Sequence, residues 1–339
     1  MKIIKTSVIV LTAALLLGAC TSNEDDVQEV IKNNGVEFKE NLSITETSFY
    51  PEGIDYDHTN NLFVVGSFYK GEVAKLNPAT GELKTFINDK DLIAVTGVYT
   101  DELRNRLIVA IADAGASLKS TSVTRGVTAK VAIYNLTTGE KEALISLESL
   151  TTGTGNFAND IAVDDKGNIY VTNSFGNADI YKIDINNKAS LFYTITGAET
   201  TNNNFGLNGI VFYAPTKQLI ISHTTNDYMY TLTLGESPII ETFDSPLSFI
   251  DGLEIDEQGK LIQIGNSNDD IAVSTIIVKN KKIENLHVEY ERATETESFP
   301  TTATSVKGKG TFILESHLTK LFNNNKTFNK FKIVELSNL

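Results

Sequence analysis

The chain of 339 residues contains one cysteine, Cys20, so a disulfide within it is excluded. Basic side chains are in short supply. With 29 Lys and Arg against 43 Asp and Glu the net charge is −14, and no Lys/Arg cluster interrupts it. That disfavours the electrostatic attraction on which nucleic acid or anionic lipid binding depends. No zinc-ligand spacing, glycine-rich nucleotide fingerprint or Gly-x-Ser-x-Gly elbow occurs. From about Val36 onward there is no amphipathic helical pattern, and no Pro/Ser-rich linker divides the chain. What remains is ordinary: 41% hydrophobic and 21% charged residues, the composition of a globular protein.

The N-terminus reads as an address. Lys2 and Lys5 precede an apolar run from Ser7 to Leu17 that is too short for a membrane span. The ending Leu17-Gly18-Ala19-Cys20 resembles a bacterial lipobox, which implies cleavage after residue 19 and a diacylglycerol anchor on Cys20. Cleavage removes two lysines and no acid, taking the charge from −14 to −16. Residues 20–40 are polar and acidic, a flexible tether. Its Glu24-Asp25-Asp26 resembles the surface-export signals of Bacteroidota lipoproteins, and Thr21 stands where an inner-membrane retention signal has Asp. The expected location is the outer membrane, facing the periplasm or the cell surface.

Short β-branched and aromatic runs then alternate with Gly, Asn and Asp turns. Six segments share one plan: a small polar pair, an apolar strand, a turn, and a second strand ending in polar residues. They begin at Glu52, Thr96, Asn159, Asn208, Asp251 and Thr302, spaced 44, 63, 49, 43 and 51 residues apart. Third strands follow, as in "EVAKLNPATGEL" from Glu72 and "KVAIYNLTTGEK" from Lys130. Repeats of about 40–50 residues with about four strands each are the signature of propeller blades. A β-sandwich pair would not repeat the polar slot, and a β-helix would repeat at a shorter period. Residues 41–339 are therefore expected to form an all-β, six-bladed β-propeller with four-stranded antiparallel blades. Either Leu42–Phe49 or the last strand "FKIVELSNL" serves to close it.

In a propeller the first strand of each blade lines the central channel, so the six polar starts face one another. Two carboxylates, two amides and two hydroxyls converge, all offering oxygen. Such a set suits a hard cation, Ca2+ above all, with Mg2+, Mn2+ or Zn2+ as alternatives. Taken singly, each polar pair is also a common turn signal.

"PEGI" (Pro51–Ile54), "NDIAVDDKGNIYVTNS" (from Asn159), "LNGI" (Leu207–Ile210) and "DGLEIDEQGKL" (from Asp251) resemble motifs of the gluconolactonase/regucalcin-like propellers, the senescence marker protein family. Paraoxonase and diisopropyl-fluorophosphatase are relatives of that family. The resemblance implies that Glu52, Asn159, Asn208 and Asp251 bind a catalytic divalent cation, with Asp251 also the proton acceptor. It implies hydrolysis of a small-molecule lactone or ester by a monomer. Of the histidines, His223 and His317 end second strands and return to the metal face, which makes them further catalytic candidates. His58 lies at the opposite end and His287 between blades. Relatives with phosphotriesterase-like chemistry carry a histidine where the sixth blade here has Lys307, so that chemistry is disfavoured.

The second blade carries a long insertion, Asp113–Ala129, on the metal face. By the same resemblance Asp113, Lys119 and Arg125 are candidate substrate contacts; a solvated loop is the plainer alternative. Three functions stay open. The first is a Ca2+-dependent hydrolase. The second is a non-catalytic, calcium-stabilised lipoprotein that binds a glycan or protein partner. The third is a propeller without metal. A base beside the metal favours the first, and a channel mouth sealed by apolar side chains favours the second.

Overall fold

The computed structural model describes residues 35–151, 153–201, 204–266 and 269–339. The signal segment 1–19, the lipidation candidate Cys20 and the tether as far as residue 34 lie outside the described residues. Six antiparallel four-stranded sheets are arranged as propeller blades, as the repeats imply. Blade one comprises Pro51–Asp57, Leu62–Ser67, Glu72–Leu76 and Leu83–Ile87, and blade two Ala94–Asp101, Arg106–Ala112, Ala129–Asn135 and Lys141–Ser146. In blade three the strands are Ala158–Val163, Ile169–Asn173, Asp179–Ile183 and Ala189–Thr194. Leu207–Tyr213, Gln218–His223, Tyr228–Thr233 and Ile240–Asp244 build blade four. Blade five is Ile250–Ile255, Leu261–Gly265, Asp270–Lys279 and Lys282–Ala293.

Both chain ends close the ring. Blade six takes Pro300–Val306, Gly310–Glu315 and Lys330–Glu335 from the C-terminus and adds Asn41–Thr45 as its outer strand, with Asn41 opposite Val334 and Thr45 opposite Lys330. The two closing candidates therefore act together, and pairing them removes the edges that an open sheet would expose. Docking begins ahead of Asn41: Phe38 rests on Tyr56, Phe63 and Phe312.

The second strands read as unbroken apolar runs because both of their faces are buried. In "LFVVGS", Val64 packs toward blade two and Val65 toward blade six. The same division gives six apolar wedges, one between each neighbouring pair of blades. A seventh cluster, with Phe68, Phe157 and Phe175 among its members, covers one end of the channel.

Each inner strand carries a β-bulge at its start. In blade one Pro51 pairs with Ser67 and Ile54 with Val65, leaving Glu52 and Gly53 in the bulge. Thr96-Gly97, Asn159-Asp160, Asn208-Gly209 and Asp251-Gly252 occupy the same place in blades two to five. In blade six Pro300 pairs with Glu315 and Thr302 already pairs with Leu314. The register thus assigns the sixth polar position to Thr301, not to Thr302 as the segment spacing implies. The pair there is Thr-Thr, so sequence alone could not tell the two positions apart.

The bulge glycine has a plain cause. A Cβ on Gly53 would stand 2.7 Å from the Thr96 carbonyl oxygen, and one on Gly252 2.6 Å from that of Thr301. Both neighbours are backbone and cannot swing aside. Gly252→Ala is expected to destabilise the fold by about 1–3 kcal/mol, the range for forced overpacking. Thermal or urea unfolding measures it; an unchanged midpoint would mean that the inner strands do not approach this closely.

Candidate functional site

Glu52, Asn159, Asn208 and Asp251 line one cavity at the channel axis, together with Thr96 and Thr301. The same four also line an adjoining cavity of about 60 Å3 at the channel mouth. The four residues assembled from the sequence therefore meet in one place. Among the described residues no three His, Cys, Asp or Glu side chains gather as a metal-binding group. The set here consists of two carboxylates and two amides.

Partners show what these oxygens lack. The Ser174 hydroxyl donates to the Leu207 carbonyl, so it accepts from Asn159 Nδ2 at 2.8 Å. That leaves Asn159 Oδ1, which is buried and has no hydrogen-bond partner. Buried polar atoms are rarely left so, because each forfeits its hydration. Asn208 Nδ2 donates to Thr224 Oγ1 at 3.0 Å, and Asn266 Nδ2 to Asp251 Oδ2 at 2.9 Å. Ser174, Thr224 and Asn266 each follow the second strand of their own blade, so one repeated geometry orients three of the four residues. Burial holds the Glu52 carboxyl well above its ordinary range, and the like charges of Asp251 and Asp160 add to the shift. Burial likewise pushes Asp251 up to about 7, against the pull of its amide hydrogen bonds. An orphaned amide oxygen beside desolvated carboxylates is what a divalent cation with oxygen preference would satisfy.

The two ring threonines do other work. Thr96 Oγ1 donates to the Ala158 carbonyl and Thr301 Oγ1 to the Glu52 carbonyl, both at 2.8 Å. Thr172 and Ser222 reach the carbonyls of Asn208 and Asp251 in the same way, at 2.6 and 3.0 Å. Hydroxyls from one blade thereby hold the backbone of the next, ligand candidates included.

The histidines stand apart from the cavity. His223 donates from Nε2 to the Ala198 carbonyl at 3.1 Å and accepts the Thr225 amide at Nδ1 at 3.2 Å, so both nitrogens are committed. His317 Nδ1 donates to the Glu297 carbonyl at 2.9 Å, with the ring edge-on to Phe328. Burial lowers the pKa of each, keeping both neutral. On the insertion, Asp113 is fully buried and accepts from Gly115, Ser120 and Thr124. Lys119 Nζ donates to the carbonyls of Gly71 and Asp89, and Arg125 is exposed beside Gly115. None of these five side chains lines the cavity that holds the four oxygen donors.

Three further carboxylates in the channel escaped the sequence reading. The extra residue in each bulge reverses strand parity, so positions i and i+3 both face the axis. Asp55 therefore follows Glu52 into the channel, and Glu254 follows Asp251; an acid three residues after a polar start was the available signal. Asp160 takes the bulge place that is glycine in four other blades. All three line a wider cavity of about 540 Å3 at the far end. They also tie blades together. Asp55 accepts from the Thr100 amide at 2.6 Å and the Thr304 hydroxyl at 3.1 Å, Asp160 from the Ile210 amide at 3.1 Å, and Glu254 from the Ser305 amide at 3.1 Å. Burial raises Asp160 to about 7 and Glu254 to about 8.

These shifts set a pH dependence. A carboxyl with a folded pKa near 7 or 8 and an unfolded pKa near 4 stabilises the fold below about pH 4. That contribution is lost as pH rises through about 8. Without cation, the unfolding midpoint is expected to fall from pH 5 to pH 8, and less steeply in Asp160→Asn. Saturating Ca2+ should offset part of the fall by pairing with ionised Glu52 and Asp251. A midpoint indifferent to both pH and Ca2+ would show that these acids are not desolvated as described.

No protein-family profile matches the chain, and no curated protein matches it. Solved structures do. The major Malassezia sympodialis allergen Mala s 1 superposes with a TM-score of 0.70 at 13% identity, covering 88% of this chain and 96% of that one. For XC5397 from Xanthomonas campestris, a gluconolactonase, the TM-score is 0.60 at 12% identity, over 87% and 89% of the two chains. A luciferin-regenerating enzyme gives 0.59 at 12%, over 87% and 96%. At such identity the likeness is one of fold, and the chain has the six-bladed propeller fold of the gluconolactonase-like proteins.

Proposed function

We propose that this protein is a divalent-cation-dependent hydrolase of lactones or esters, with Ca2+ the favoured ion. The observation that carries the reading is the unpartnered Asn159 Oδ1 in the same cavity as the desolvated Glu52 and Asp251 carboxylates. Glu52, Asn159, Asn208 and Asp251 would hold the ion. A bound divalent cation supplies Lewis-acid polarisation of a carbonyl and a lowered pKa for water. Asp251 is assigned as the proton acceptor, as a carboxylate that lines both the axial cavity and its mouth. Asn266 fixes the orientation of that carboxylate through its 2.9 Å hydrogen bond. His223 and His317 are left out of the chemistry because their nearest polar partners are backbone groups. The gluconolactonase fold likeness agrees with the reading but does not establish it.

A second reading has its own support. Apolar side chains stand over the cavity, and a sealed mouth would suit a calcium-stabilised propeller that binds a glycan or protein partner. Under either reading we place the protein on the outer membrane as a monomer anchored through Cys20. Phe38 docks beside Tyr56, at the end of the blade-one inner strand remote from Glu52. The described chain therefore enters the propeller on the far face.

Calorimetry of the soluble domain with Ca2+, followed by lactone hydrolysis on the same samples, separates the readings. Asp251→Ala and Glu52→Gln are each expected to weaken Ca2+ binding at least tenfold and to abolish hydrolysis, with His223→Gln keeping a pH–rate profile like that of wild type. Binding with no hydrolysis across a lactone panel would favour the partner-binding reading. No binding at all would leave neither.

A further inference from the structure

The cavity at the channel mouth has a polar floor and an apolar wall. Its floor is the four candidate cation ligands with Thr224 and Asn266. The rest of the lining is Phe68, Phe157, Phe205, Phe299, Leu318 and Phe322. These come from four different blades, so only closure of the ring assembles them. Rings meet edge to face or tilted: Phe157 with Phe205 at 5.2 Å, Phe68 with Phe322 at 5.8 Å. Phe68 and Phe157 are 2% and 1% exposed, whereas Phe322, on the short helix Leu318–Phe322, is 44% exposed.

We infer that the substrate of this site carries an apolar alkyl or aryl group, seated against the phenylalanine wall while its carbonyl faces the polar floor. The inference rests on the hydrolase reading above. A polyhydroxylated sugar lactone is disfavoured by the same lining. Its hydroxyls would need donors and acceptors along the wall, and buried hydroxyls without partners oppose binding. Of the insertion's candidate contacts, Asp113 is engaged within its own loop, Lys119 with the carbonyls of Gly71 and Asp89, and Arg125 lines neither cavity. The apolar mouth, which on its own suggests a seal, thereby becomes the specificity element.

Size adds a condition. At about 60 Å3 the cavity is far smaller than the roughly 300 Å3 of an ordinary small-molecule pocket. Substrate must displace part of the wall, and Phe322 has the most solvent to move into. The substrate's apolar group then replaces the lost ring contacts.

The test is a series of γ-lactones that differ only in alkyl chain length, alongside glucono-δ-lactone, assayed on the Ca2+-loaded soluble domain. Each added methylene that reaches the wall is expected to raise kcat/KM about three- to fourfold. Phe157→Ala and Phe322→Ala are each expected to flatten that dependence, and Phe322→Leu to restore part of it; thermal unfolding confirms that each variant is folded. Faster turnover of the sugar lactone than of every alkyl lactone would overturn the inference and leave the hydrolase standing. If nothing is hydrolysed the hydrolase reading falls, and binding decides the wall. Alkyl lactams, which resist hydrolysis, should then bind more tightly as the chain lengthens, and indifference to chain length would overturn the inference.

Discussion

Six inner strands approach one another so closely that a methyl group on Gly53 or Gly252 would collide with the next strand's backbone. Much else depends on this contact. It demands a glycine in the bulges of blades one, two, four and five, with Asp160 in that place in blade three, and the bulges turn Glu52, Asn159, Asn208 and Asp251 toward a common axis. Hydroxyls of Thr301, Thr172 and Ser222 then hold the carbonyls of three of those residues from the neighbouring blade. Blade packing and site geometry are therefore one problem. A disturbance in the wedge between two blades moves one of these axial oxygens.

Concentrating carboxylates along the axis carries an electrostatic cost that the fold meets in two ways. At the far end Asp55, Asp160 and Glu254 accept amide and hydroxyl hydrogen bonds from adjacent blades, which offset part of the desolvation that raises their pKa values. At the near end Glu52 is met mostly by other acids, and Asn159 offers an oxygen to no donor. The contrast separates a structural set of acids from a set suited to a ligand.

The apolar wall and the polar floor come from different parts of the chain's logic. Floor residues begin inner strands, where the repeat is strict. Phe68 directly follows a second strand, whereas Phe205, Phe299 and Phe322 lie in connections whose lengths vary from blade to blade. Such a division lets a propeller keep one set of axial oxygen donors and change what surrounds it, since the connections can vary without touching the bulges.

Blade number, strand order and the four oxygen donors were legible in the sequence because each rests on a local pattern. Alternation marks the inner strands, double burial marks the apolar second strands, and the polar-glycine pair recurs at blade spacing. Tertiary structure decided what local pattern cannot hold. The bulge parity that brings Asp55 and Glu254 to the axis, and the register that selects Thr301 over Thr302, depend on pairing across strands. The partners that engage His223, His317 and Lys119 come from packing between loops, as does the meeting of six apolar side chains over the site. Closure by both termini also needed the folded ring, since Asn41 on the outer strand of blade six stands 293 positions before its partner, Val334. Strand character is set by neighbours along the chain, whereas side-chain partners are set by which strands come to lie side by side.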